Sequence, residues 1–183
     1  MRKLSIALFF LAASAFAAPQ ATTVILVRHA EKAAANTMAN ELKVANAARM
    51  SDDPPLSDAG VARAKELARV LGSIHLDAIY TTQYQRTRQT AAVVVNEKGI
   101  QPEAITAGDR YAENMAERIL SKNSGQTVLV VSHSNTIPDI LRSFGVFNPP
   151  SIPETEYDDL FVCTIMPGGE SRLVTLRYGA AAR

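Results

Sequence analysis

The chain has 183 residues, 47% hydrophobic and 20% charged, a composition that supports one globular domain with its own core and argues against disorder. Its single cysteine, Cys163, excludes an intrachain disulfide and a multi-cysteine zinc module. With 19 basic against 18 acidic residues there is no bulk field for nucleic acid or an anionic membrane, so neither is an expected partner and any phosphate chemistry must come from a few focused charges.

Arg2 and Lys3 precede the apolar stretch Leu4–Ala18, and Ala15-Phe16-Ala17 fits a small-residue cleavage site. This pattern predicts a secretory signal peptide over 1–17 and a periplasmic or secreted domain over 18–183. The apolar stretch is shorter than the roughly 20 residues a spanning helix needs, so no stable membrane insertion is expected once it is removed. Thr22–Val27 is a continuous β-branched run, the pattern of a strand buried on both faces. Ala33–Arg49 reads as a helix or a partly helical excursion, and Asp52-Asp53-Pro54-Pro55 breaks it. Ser57–Leu71 reads as a helix capped by Ser57, with Val61, Ala64, Leu67, Ala68 and Leu71 on one face and Gly72 as its stop.

A second strand follows at Leu76–Thr81, then a helix at Thr82–Val95, a third strand at Ala104–Ala107 and a helix at Tyr111–Leu120. Thr127–Ser132 is another doubly buried strand, Thr136–Phe144 a helix with Pro138 in its first turn, and Asn148–Pro153 a proline-broken loop. Leu160–Met166 and Arg172–Tyr178 form a hairpin around Pro167-Gly168-Gly169. Cys163 falls inside the first of these strands, where burial is expected. The order predicts an α/β three-layer sandwich: a mostly parallel central sheet, helices on both faces, and a C-terminal antiparallel hairpin.

Both doubly buried strands run directly into ionisable residues, Arg28-His29 after the first and His133-Ser134-Asn135 after the second. In open α/β folds the ligand crevice lies at the carboxyl ends of the strands, so two of the chain's three histidines are placed there. Arg86 and Arg88 open the helix after Leu76–Thr81; two apart on a helix, only one of them can face the crevice. His75, between a helix and a strand, reads as structural. Lys32 reads equally as a solvated cation or as an aid to anion binding. The acidic run Glu154–Asp159 reads as a solvated loop or as a pocket wall that discourages polyanions.

These segments together resemble the histidine phosphatase superfamily, also called phosphoglycerate mutase-like. The Arg-His-Gly signature appears as LVRHAEK, with Ala30 in the glycine position. PPLSDAG (Pro55 to Gly60), TTQYQRTRQTA (Thr81 to Ala91) and VVSHSNTI follow in the family's order. The resemblance implies that His29 is the phosphorylated nucleophile, that Arg28 and Arg86 bind the phosphoryl group, and that His133 is the second active-site histidine with Ser134 beside it. Neutral imidazole is a competent nucleophile, and arginine forks match phosphoryl oxygens. No metal or other cofactor is implied, and the implied partner is a small phosphorylated substrate.

The pattern departs from the family in its acid. Many members carry a carboxyl donor after the Arg-x-x-Gln-Thr-Ala helix, and members with a His-Asp motif place it where Ser134 stands. Glu113 is the candidate proton donor here, with Glu31 and Asp109 behind it. The expected activity is hydrolysis of phosphomonoesters through a phosphohistidine. Two alternatives stay open: a phosphate-ligand binding or sensor module without turnover, and a phosphomutase, for which 18–183 leaves little room to trap a second phosphate.

Overall fold

The computed structural model describes residues 20–34 and 53–181. The leader read at 1–17 and most of the alanine-rich segment Ala33–Arg49 lie outside the described residues. The elements in chain order are β1 (Thr22–Arg28), α1 (Asp58–Val70), β2 (Ala78–Thr81), α2 (Gln85–Lys98), β3 (Glu103–Ala104), α3 (Tyr111–Lys122), β4 (Thr127–Ser132), α4 (Ile137–Ser143), β5 (Asp159–Ile165) and β6 (Ser171–Arg177).

They form one six-stranded sheet in the order β3-β2-β4-β1-β5-β6. Pairing is parallel from β3 through β1, and β5 then lies antiparallel to both β1 and β6. Side chains alternate across the strands as period-2 geometry requires. Val24 and Leu26 of β1 and Val128 and Val130 of β4 pack under α3 and α4, with Met115, Ile119, Ile137 and Ile140. Ile25, Val27, Leu129 and Val131 pack on the other face under α1 and α2, with Leu67, Leu71, Ala91 and Val94. Both faces are therefore covered, as the uninterrupted apolar strands require, and no helix among the described residues is long and apolar enough to cross a membrane.

The topology creates the crevice. β1 leads to α1 on one face, whereas its neighbour β4 leads to α4 on the other. Connections that leave adjacent strand ends in opposite directions open a cleft between them. The register pairs Arg28 with Ser132, so His29 and His133 each stand one residue beyond the paired ends. The His29 amide still donates to the Ser132 carbonyl at 2.8 Å, which locks the two exits together.

Several boundaries differ from the sequence expectation. β2 starts at Ala78, because Asp77 turns the chain and its carboxylate accepts the Thr127 amide at 2.8 Å. α2 starts at Gln85 and runs on to Gly99, whose left-handed φ of 67° closes it. The Asp53 carboxylate, far back in the chain, accepts the Gln85 amide at 2.9 Å and so sets the helix start. β3 is only Glu103–Ala104. α1 ends without a left-handed Gly72, with Leu71 as its cap. Ser57 does cap α1, its hydroxyl accepting the Gly60 amide at 3.2 Å. Cys163 is buried, and burial pushes its thiol up to about 11.

The start of α1 is pressed onto the loop after His29. The Ser57 amide donates to the Glu31 carbonyl at 2.9 Å, and Arg63 holds the Glu31 carboxylate at 2.7 Å while also donating to the carbonyls of Tyr178 and Ala180. A Cβ on Gly60 would meet the Glu31 oxygen at 2.2 Å, so the closeness of helix and loop depends on glycine. Gly60→Ala should lower stability by about 1–3 kcal/mol, the scale of an overpacked contact. Equilibrium denaturation checks this, and an unchanged midpoint would show that the loop yields freely.

Candidate active site

The cleft between the ends of β1 and β4 holds a cavity of about 420 Å³. Arg28, His29, Lys32, Arg86, His133 and Ser134 all line it, so the structure brings together five of the six residues named from the sequence, and Lys32 with them. The remaining one, Glu113, sits in the first turn of α3 and lines a neighbouring cavity instead. Glu31 is paired with Arg63. Neither carboxylate lines the histidine cavity. Arg86 lines it and Arg88 is exposed, as two positions in one helical turn require. His75 is not structural: its side chain is 88% exposed and, among the described residues, pairs with Asp77.

Backbone contacts set the His29 tautomer. Its Nδ1 lies 2.8 Å from the Ala30 carbonyl. A carbonyl only accepts, so Nδ1 carries the proton and Nε2 keeps its lone pair. The Ala30 amide in turn donates to Thr90 Oγ1 at 2.9 Å, and the Thr90 hydroxyl donates to the Arg86 carbonyl at 2.7 Å. Thr90 thus fastens α2 to the loop after His29, and Gln89 fastens the same helix to the segment before α1 by accepting the Leu56 amide at 2.8 Å. Ala30 is fully buried and does not adopt a left-handed φ, so this position needs no glycine.

His133 stands with its ring centroid 5.4 Å from that of His29. Its Nε2 lies 3.1 Å from Thr82 Oγ1, so Nδ1, which has no partner among the described residues, is the nitrogen available to a ligand. Tyr84 packs edge-on against this ring and carries the Arg86 guanidinium 4.1 Å above its own ring, a cation–π contact. Arg86 also lies 3.4 Å from the Asp53 carboxylate.

Arg28 is more committed than a free phosphate fork. Its guanidinium donates to the Pro153 and Glu156 carbonyls, pairs with Glu154 at 2.8 Å and stacks 4.1 Å from the Tyr157 ring. Its buried Nε–H has no partner among the described residues. The Glu154–Asp159 run therefore does wall the cavity, through Glu154, while Asp158 and Asp159 are buried and paired with Arg177. Glu154, Tyr84 and Thr82 were not singled out by sequence pattern. Only the acidic run after a proline-broken loop signalled the first.

Burial pushes the His29 imidazole down to about 4, with Arg86, Arg28 and Lys32 adding to the effect against the Ala30 carbonyl. Burial likewise takes His133 down to about 3, helped by Arg86, His29 and Arg28. Both rings are neutral at pH 7. An unfolded imidazole takes up its proton near 6.5, so between that value and about 4 the unfolded chain binds more protons than the folded one. Stability should be intact above pH 6.5 and fall as the pH drops. Denaturation midpoints at pH 7 and pH 5 test this: the wild type should lose stability, and His29→Ala/His133→Ala should lose less. A double variant that loses as much would assign the acid sensitivity elsewhere.

Residues 24–108 match the sequence family described as the histidine phosphatase superfamily (branch 1). That segment holds Arg28, His29 and Arg86. No curated protein matches the chain. Among solved structures, Bacillus stearothermophilus YhfR is similar with a TM-score of 0.62 at 20% identity, over 84% of this chain and 95% of that one. The protein histidine phosphatase SixA complexed with tungstate has a TM-score of 0.62 at 15% identity, over 85% and 96%. Mycobacterial glucosyl-3-phosphoglycerate phosphatase Rv2419c has a TM-score of 0.61 at 13% identity, over 87% and 100%. At these identities the likeness is one of fold, and it extends past the matched segment to the strand that carries His133. With its fold shared and its Arg-His motif inside the matched segment, the chain is similar to the histidine phosphatase superfamily over residues 24–108 and has the fold of these phosphatases.

Proposed function

We propose that this protein is a metal-independent phosphatase that hydrolyses small phosphomonoesters through a phosphohistidine on His29. The observation that carries the reading is the tautomer of His29. A buried, neutral ring with Nδ1–H held by the Ala30 carbonyl presents an Nε2 lone pair to a cavity lined with cations. Arg86, Lys32 and the unpartnered Arg28 Nε–H supply positive charge for phosphoryl oxygens, where a metal-dependent enzyme would use its cation. His133 donates to the transferring group; an arriving dianion draws a proton onto its free Nδ1, because opposite charge favours the imidazolium. SixA, which shares the fold, is a protein histidine phosphatase described with bound tungstate.

The leader read at 1–17 extends the proposal to export, with the substrate met in the periplasm or outside the cell.

Release of p-nitrophenol from p-nitrophenyl phosphate, before and after exhaustive EDTA treatment, tests the reading. Turnover should survive chelation unchanged. Activity lost to EDTA and restored only by a divalent ion would overturn the cation-free site. Tight phosphate binding with no turnover would favour a binding or sensor module.

A further inference from the structure

The leaving group of the proposed reaction needs a proton, and Glu113 does not line the histidine cavity. Glu154 is the one carboxylate that does among the described residues. It lies in the loop before β5 and is anchored at both oxygens. The Ser134 hydroxyl donates to Oε1 at 2.5 Å, and the Arg28 guanidinium to Oε2 at 2.8 Å. These anchors are the chain neighbours of the two histidines, so the carboxyl is fixed beside both strand exits. Its side chain is 77% exposed, which puts it at the mouth, where a leaving alcohol must pass.

Resting on the phosphatase reading above, we propose that Glu154 is the general acid–base of this site. In the first step His29 Nε2 forms a bond to phosphorus and the P–O bond to the leaving group breaks. The leaving oxygen takes the proton of the Glu154 carboxyl and departs as an alcohol. In the second step the Glu154 carboxylate takes a proton from water, the water oxygen bonds to phosphorus, and the P–N bond breaks. Phosphate leaves, His29 regains its lone pair with Nδ1–H in place, and the carboxyl is restored. In the resting site the Ser134 hydroxyl, aided by Arg28 and Lys32, holds the Glu154 carboxyl below the usual range. A bound phosphoryl dianion takes up those cations and sets a like charge beside the carboxylate, which raises its proton affinity. The other acids are otherwise engaged: Glu31 pairs with Arg63, and Asp53 accepts the Gln85 amide.

The test is the leaving-group dependence of kcat/KM, which covers the steps up to departure of the alcohol. Wild type and Glu154→Gln are compared on p-nitrophenyl phosphate, whose phenolate needs no proton, and on glycerol 2-phosphate, whose alkoxide does. Glu154→Gln should lose roughly 10²-fold or more on the alkyl ester and stay within about threefold on the aryl ester. Equal losses on both would make Glu154 a positioning residue for Arg28 and overturn the proposal. A selective alkyl loss in Glu113→Gln instead would also overturn it. A wild type that releases phosphate from neither ester overturns the phosphatase reading itself, and the proposal with it. A thermal melt of Glu154→Gln that matches wild type ties any loss to chemistry, as the exposure of this side chain leads one to expect.

Discussion

His29→Ala should lower kcat on any phosphomonoester by roughly 10⁴-fold or more, the scale seen when a covalent nucleophile is removed and only binding and electrostatics remain. The size follows from the site's construction. No other ring nitrogen combines a backbone-fixed proton with a free lone pair in the cavity: His133 already spends Nε2 on Thr82. The variant should keep its fold, because the imidazole's only hydrogen-bond partner among the described residues is the carbonyl of the next residue. Steady-state assays with a matched thermal melt check both halves. Loss of less than tenfold would mean that water attacks phosphorus directly and His29 merely binds.

The next largest effect belongs to Arg86. Arg86→Ala should cost roughly 10²-fold or more in kcat/KM, the scale for removing a donor aimed at transition-state charge, whereas Arg88→Ala should stay near wild type. The contrast is geometric. Arg86 lines the cavity, held over Tyr84 and beside Asp53, while Arg88, two positions on along the helix, is exposed to solvent. Lys at 86 should recover little, since an ammonium cannot reproduce the planar fork or its stacking on Tyr84. Equal losses at 86 and 88 would show that the charge of this helix start matters and its direction does not.

What could be read from the chain, and what could not, divides along range. β1 and β4 were legible because a strand buried on both faces must be apolar throughout, and each such run stops abruptly at Arg28-His29 or His133. The hairpin was legible from Pro167-Gly168-Gly169, within one residue at each strand. Short-range caps such as Ser57 were legible too. The start of α2 was not, because its cap is Asp53, 32 residues away, and nothing local marks Gln85 over Thr82.

Glu154 was hidden for the same reason. It meets Arg28 across 126 residues of sequence, and an acidic run reads as a solvated loop or a pocket wall, not as a particular carboxylate, unless its partner is known. The mutual placement of the two histidines also depends on a parallel register, Arg28 beside Ser132, that pattern alone does not specify. Glu113 was favoured by its nearness in sequence to where a family donor lies. The fold instead turns it toward the cavity bordered by Arg110, Asp139 and Arg142.

The central claim is covalent, and one measurement addresses it directly. The protein is mixed rapidly with a substrate labelled in its phosphoryl group, quenched in alkali because a phosphoramidate is acid-labile and base-stable, and mapped by peptide. Label should appear in the peptide that spans Val27 to Lys32 and vanish in His29→Ala. His133→Ala should slow its appearance without moving it. Label on the peptide that holds His133, or an active protein that traps none under alkaline quench, would contradict the account.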